Sequence, residues 1–272
     1  MGFLKKEKVR LLLAILLLLV IPIAHAGSQT VGSVTINPSP IDLKLDSTKT
    51  VECSATISDS NSWENISNVS AVFWDALDYN ESSENNGSNH YTNTSCSLGD
   101  NTSSTERPVT CSFPLQYYAN PSQWTCKIYS YNATNDAASN SDNANVKSLI
   151  ALDVVESEVD FGTLALGNTS SDDVNTTVRN VGNVKIDANL SGTAFTCSSG
   201  VISPEAARYS SSSGQSYSSM TELTADETTL DLNVAKSDGE VSSKYVYWKI
   251  KLPDSGVGGF CSNAITFSAA EG

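Results

Sequence analysis

The sequence predicts an all-β protein of two tandem β-sandwich domains behind a cleaved signal peptide. Three observations carry the prediction. Helical periodicity is nearly absent after the first 26 residues; short alternating apolar runs bounded by Asn, Ser, Gly and Pro recur throughout; and all six cysteines lie in the part that would be exported. An even cysteine count behind an export signal reads as a disulfide framework, because the export compartment is oxidising.

The leader is expected over residues 1–26. Lys5, Lys6, Lys8 and Arg10 form its basic end, residues 11–24 its apolar stretch, and Ala24-His25-Ala26 its cleavage signal. An apolar run of about 14 residues containing Pro22 is short for a bilayer span, so no transmembrane anchor is expected after cleavage. Cleavage takes Lys plus Arg from 16 to 12 and Asp plus Glu from 30 to 29, so the net charge moves from −14 to −17. Such a surface repels phosphate backbones, which excludes nucleic acid as a partner and leaves an extracellular protein or glycan.

In the first domain, residues 27–152, a strand is expected over residues 50–57. Val51, Cys53, Ala55 and Ile57 alternate with polar residues and should face inward together. An apolar strand over residues 69–74 ends in Trp74, and Trp124, Cys126 and Ile128 share the buried face of another. A last strand is expected around residues 146–152. The cysteine strand, tryptophan strand and aromatic-x-Cys strand, in that order, resemble the immunoglobulin fold. There a disulfide between the second and sixth strands packs on a buried tryptophan. The resemblance implies a Cys53–Cys126 bridge with Trp74 as its core aromatic. Trp124 stands where that fold usually has a tyrosine.

Six cysteines permit fifteen pairings. With the pair implied by the resemblance taken, Cys96 and Cys111 are left to close a hairpin, and Cys197 pairs with Cys261 by elimination. The second domain, residues 153–272, opens on Val159-Asp160-Phe161-Gly162-Thr163-Leu164-Ala165-Leu166-Gly167 and reaches a turn at Asn180-Val181-Gly182-Asn183. This succession resembles the opening of immunoglobulin-like domains of bacterial and archaeal surface proteins, including matrix subunits of the TasA and camelysin type. Further strands are expected from the alternation of Val184, Ile186, Ala188 and Leu190, of Leu230, Leu232 and Val234, and of Val246, Trp248, Ile250 and Leu252. Trp124 and Trp248 are expected in the cores, with Tyr245 and Tyr247 facing outward. Ser- and Asn-rich residues 80–94, 132–145 and 210–219 read as mobile loops.

The chemistry-bearing inventory is thin. His90 is the one histidine outside the leader; no serine and carboxylate are placed beside it for a triad hydrolase, and catalytic zinc usually asks for more histidines, so a non-enzyme is expected. No cofactor is expected, calcium on the oxygens of Asp59, Asn61 and Glu64 aside. Asp172-Asp173 and Asp226-Glu227 read as solvated surface. Sequons for N-glycosylation stand at Asn65, Asn68, Asn80, Asn86, Asn93, Asn101, Asn132, Asn168, Asn175 and Asn189, suiting a surface glycoprotein of an organism, such as an archaeon, that glycosylates outside the cell. The expected role is a secreted or cell-surface structural or adhesive protein. The alternatives are a self-associating filament subunit that lends residues 27–37 as a strand to a neighbour's sheet, and a carbohydrate-binding module using Trp63 or the Tyr117-Tyr118 pair.

Overall fold

A computed structural model describes residues 28–171 and 173–272. The expected leader lies outside the described residues. The described residues are all-β, with three short 3-10 turns between strands.

The first half contains β1 (Gln29–Val31), β2 (Thr35–Asn37), β3 (Thr48–Asp59), β4 (Ile66–Asp75), β5 (His90–Asn93), β6 (Ser97–Leu98), β7 (Glu106–Gln116), β8 (Gln123–Asn132) and β9 (Ala137–Asn145). One layer runs β1-β3-β7-β6 with β2 also on β3; the other runs β5-β4-β8-β9. Period-2 alternation fills the space between them. Val51, Cys53, Ala55 and Ile57 of β3 meet Phe73 of β4, Phe113 and Leu115 of β7, and Trp124, Cys126 and Ile128 of β8. The Cys53–Cys126 disulfide ties the two layers, and Cys96–Cys111 pins the approach to β6 onto β7. Chain-entropy arithmetic gives about 4.4 kcal/mol for the longer closed loop and about 3 kcal/mol for the shorter. The indole N–H of Trp124 donates to the Asn120 carbonyl four residues upstream (2.9 Å).

The second half contains β10 (Leu152–Val154), β11 (Val174–Asn180), β12 (Ile186–Gly192), β13 (Phe195–Ser199), β14 (Val201–Ile202), β15 (Ala207–Ser210), β16 (Thr221–Glu222), β17 (Thr228–Val234), β18 (Ser243–Ile250), β19 (Gly258–Ser262) and β20 (Ile265–Glu271). One layer is β10-β11-β18-β15-β16. The facing layer is β17-β12-β20, prolonged by β14-β13-β19 because β13 follows β12 and β19 precedes β20. Its core gathers Trp248, Tyr209, Leu190, Ile186 and Leu223, and the Trp248 indole donates to Thr176 Oγ1 (3.1 Å). Cys197 and Cys261 sit directly opposite on β13 and β19, with Cα atoms 3.9 Å apart, and are bonded.

Several expectations are corrected. Trp74 is not a core residue: the strand sends Phe73 inward, 5.1 Å from the ring of Trp124, and turns Trp74 to the outer face. Residues 146–152 form no single strand; Val146 makes a parallel bridge to Ile41, and Leu152 already belongs to the sheet of the second half. Polar residues 80–94 and 132–145 contain β5 and β9, because backbone ladders to β4 and β8 outweigh their low strand propensity. The Ser-rich segment 210–219 is anchored: Gly214 N donates to Asp173 Oδ2, which makes Asp173 a loop anchor rather than solvated surface. Nor are residues 29–37 a spare strand, since β1 and β2 pair with Ile57–Asp59 and Glu52–Ser54 of their own β3.

Candidate functional site

The structure disperses most of the residues singled out in the sequence. Asp59 is buried and serves its own turn: one carboxylate oxygen accepts from the backbone of Asn61 (2.9 Å) and Ser62 (3.3 Å) and from the Asn65 side chain (3.1 Å). Burial pushes its carboxyl up, but those donors outweigh burial and hold it below the usual carboxylate range. Asp59 and Asn61 therefore build an Asx turn, Glu64 bonds through its backbone N–H to Ser62 Oγ (3.2 Å), and among the described residues no three His, Cys, Asp or Glu side chains gather for a metal. His90 is 2 % exposed and clamped between Asn85 Oδ1 (3.0 Å) and the Glu81 carbonyl (3.2 Å), which makes it a loop fastener.

The expected sugar-stacking aromatics are occupied elsewhere. Trp63 packs on the first core beneath the guanidinium of Arg107, 4.6 Å away, and Tyr117 is buried edge-on against Tyr118 among Leu149, Ala151 and Val181. Of the sequons, Asn65, Asn68, Asn80, Asn86, Asn101, Asn168 and Asn175 are exposed. Asn93 and Asn189 are half-buried and Asn132 is buried; the amide nitrogens of Asn65, Asn93, Asn101 and Asn132 donate within the chain, to Asp59 (3.1 Å), the Ser112 carbonyl (3.1 Å), the Ser103 carbonyl (3.2 Å) and Asp136 (3.1 Å).

Two features were invisible in the sequence. The first is the outer face of β4 and β8. Alternation places Trp74 on β4 and Lys127, Tyr129 and Tyr131 on β8 together on this face, with the two tyrosine rings 6.3 Å apart and only 19° from parallel. The loop after β4 drapes Glu81 over it, where one carboxylate oxygen accepts from Lys127 Nζ (2.7 Å) and Tyr129 Oη (2.8 Å). Those two bonds hold the Glu81 carboxyl below its ordinary range, and the Glu81 bond raises Lys127 above its own. Half-exposed parallel rings beside a fixed ion pair form a platform that can stack on a flat ligand and hydrogen-bond its edge.

The second is the junction between the two cores. Asn183 Nδ2 donates to the carbonyls of Ala119 (2.9 Å) and Lys147 (3.0 Å), while its Oδ1 accepts from Leu149 N (2.6 Å). Its neighbour Gly182 lies so close to the connecting segment that a Cβ there would overlap the Leu149 carbonyl oxygen. Lys236 Nζ reaches Asn120 Oδ1 (2.6 Å) and the Tyr118 carbonyl (3.3 Å), and Ser88 Oγ donates to Asp238 (2.6 Å). Arg179 bridges Asp153 (3.3 Å) and Asp46 (3.8 Å). The Asn180-Val181-Gly182-Asn183 turn is thus the latch that fastens the second half to the connecting segment and to the corner after β7.

An open cleft of about 1030 Å³ also lies in the second half, between its layers and beneath residues 156–164. Phe195, Ile250, Phe267, Glu156, Glu158 and Asp160 are among the residues that line it.

No family model matches the chain, and no curated protein matches it. Among solved structures, it is similar to a DUF4466 family protein from Parabacteroides merdae at 9 % identity, covering 84 % of this chain and 99 % of that one, with a TM-score of 0.26. A Streptomyces avermitilis α-L-rhamnosidase complexed with L-rhamnose gives 10 % identity over 90 % of this chain and 24 % of that one, at a TM-score of 0.24. A structure of carbohydrate-binding modules from the β-sandwich superfamily gives 13 % identity over 90 % of this chain and 98 % of that one, at 0.24. At these scores the likenesses carry no argument about this chain's role.

Proposed function

We propose that this chain is an exported, non-enzymatic module of two immunoglobulin-like sandwiches, serving as a rigid arm at the cell surface or in its surrounding matrix. The observation that carries the reading is the junction, where Asn183, Gly182 and Lys236 give the connecting segment no slack to swivel. The strand orders β1-β3-β7-β6 and β5-β4-β8-β9, with a disulfide from β3 to β8, support the immunoglobulin-like assignment. Three disulfides and no free cysteine among the described residues support an oxidising compartment, and the acidic surface suits an extracellular protein.

Expression with the native leader in a secreting host, followed by peptide mapping without reduction, tests this. The expected product lies in the medium, begins near Gly27 and contains the three intrachain bridges. Protein retained inside the cell with free thiols would overturn the reading. A glycan-binding role is favoured by a separate observation, the near-parallel Tyr129 and Tyr131 rings on the outer face that also carries Trp74.

A further inference from the structure

The contact between Lys236 and Asn120 is more than a hydrogen bond across the junction. Asn120 is held from both ends of its amide: Lys236 Nζ is 2.6 Å from Oδ1, and Nδ2 donates to Asp75 Oδ2 at 2.8 Å. These opposed partners settle which amide atom is which. Asp75 is 1 % exposed, and its other oxygen accepts from Ser122 Oγ (2.6 Å) and Leu77 N (3.1 Å), so the carboxyl group is locked against the amide nitrogen. The Asn120 backbone is clamped as well, its N–H donating to the Ser88 carbonyl (2.7 Å) and its own carbonyl accepting from Trp124. An amine, an amide carbon one bond from the oxygen it touches, and a buried carboxyl group on the nitrogen side are the parts an amide exchange needs, and the fold brings all three together.

From this geometry we propose that Lys236 and Asn120 become joined by an intramolecular amide bond that welds the two halves together. The neutral Nζ attacks Asn120 Cγ, and a C–N bond forms as the bond from Cγ to Nδ2 breaks. One proton of the amine passes through the Asp75 carboxyl group to the departing nitrogen, which leaves as ammonia. Atoms balance without an oxidant or any other reactant. Two further observations support the step. Burial pushes the Lys236 amine below the ordinary lysine range, although Asp238 and Asp75 oppose that shift, and this enlarges the neutral fraction that can attack. Residue 121 is proline, which has no backbone N–H to attack the Asn120 side chain, so the common route of asparagine loss is closed and the amide is preserved for the lysine.

The bond rests on the junction geometry and not on where the protein resides. The test is an intact mass of the disulfide-bonded protein made in a host that adds no glycans, followed by proteolysis and tandem mass spectrometry. The expected mass is lower by one ammonia than the sequence and three disulfides require, with the Asn120 and Lys236 peptides recovered as one branched species. Lys236→Arg keeps a donor to Asn120 and therefore the fold; it should restore the missing mass and release separate peptides. Asp75→Asn should lower the linked fraction severalfold. A wild-type protein of full mass whose Asn120 and Lys236 peptides are separate, or whose Asn120 has become aspartate, would overturn the proposal. That result would leave the export reading untouched, since its evidence is the processed N-terminus and the sulfur bridges.

Discussion

Phe73 and Trp74 are adjacent apolar residues that a strand must send to opposite faces, and the fold gives the core to the smaller ring. Phe73 is fully buried between Phe113 and Trp124, whereas Trp74 lies opposite Thr125 on the outer face. The sequence was ambiguous here because Val72, Phe73 and Trp74 are apolar in succession, which removes the alternation that made Val51, Cys53, Ala55 and Ile57 legible. The consequence is measurable. Phe73→Ala should cost about 3–5 kcal/mol in denaturant unfolding, as for a large aromatic removed from a closed core. Trp74→Ala should cost about 1 kcal/mol or less, as at a half-exposed site, and if the outer face stacks on glycans it should also weaken retention on a glycan array. Equal costs for the two substitutions would place Trp74 in the core after all.

Strands with strong alternation were legible as elements: β3, β8, β12, β17 and β18 all stand where periodicity placed them. The polar ones were not. β9 reads Ala-Ala-Ser-Asn-Ser-Asp-Asn-Ala-Asn and buries only Ala144 fully, so no pattern in its side chains announces a strand. It exists because β8 offers it a complete ladder from Gln123 to Tyr131, a long-range fact that local propensity does not contain. As an edge strand it should bond every second N–H to β8 and turn the rest to solvent. Hydrogen exchange resolved by residue is therefore expected to alternate between slow and fast amides along residues 137–145. Uniformly fast exchange would return this stretch to the mobile loop that its composition suggests. The same local reasoning missed β5 and left residues 27–37 open as a strand to lend to a neighbour, because a sequence does not say that β3 already claims β1 and β2.

At the scale of the molecule, the two cores were legible from their separate apolar runs, but what joins them was not. Asn180-Val181-Gly182-Asn183 is recognisable as a turn, yet nothing local says that Asn183 reaches Ala119 or that Gly182 is needed for the approach of Leu149. Lys236, Asn120 and Asp75 lie far apart in sequence and only the fold assembles them. The outer aromatic platform was likewise hidden, since Tyr129 and Tyr131 gain meaning only once Trp74 turns outward and Glu81 folds over Lys127. Rigidity across the junction is the claim on which the role as an arm depends. Residual dipolar couplings from residues 29–145 and 152–271 measure it directly. One alignment tensor, of the same magnitude and orientation, should fit both halves of the wild-type chain, and Gly182→Val should split it into two. Two tensors of unequal magnitude in the wild-type protein would mean that the halves move independently, and would contradict the account.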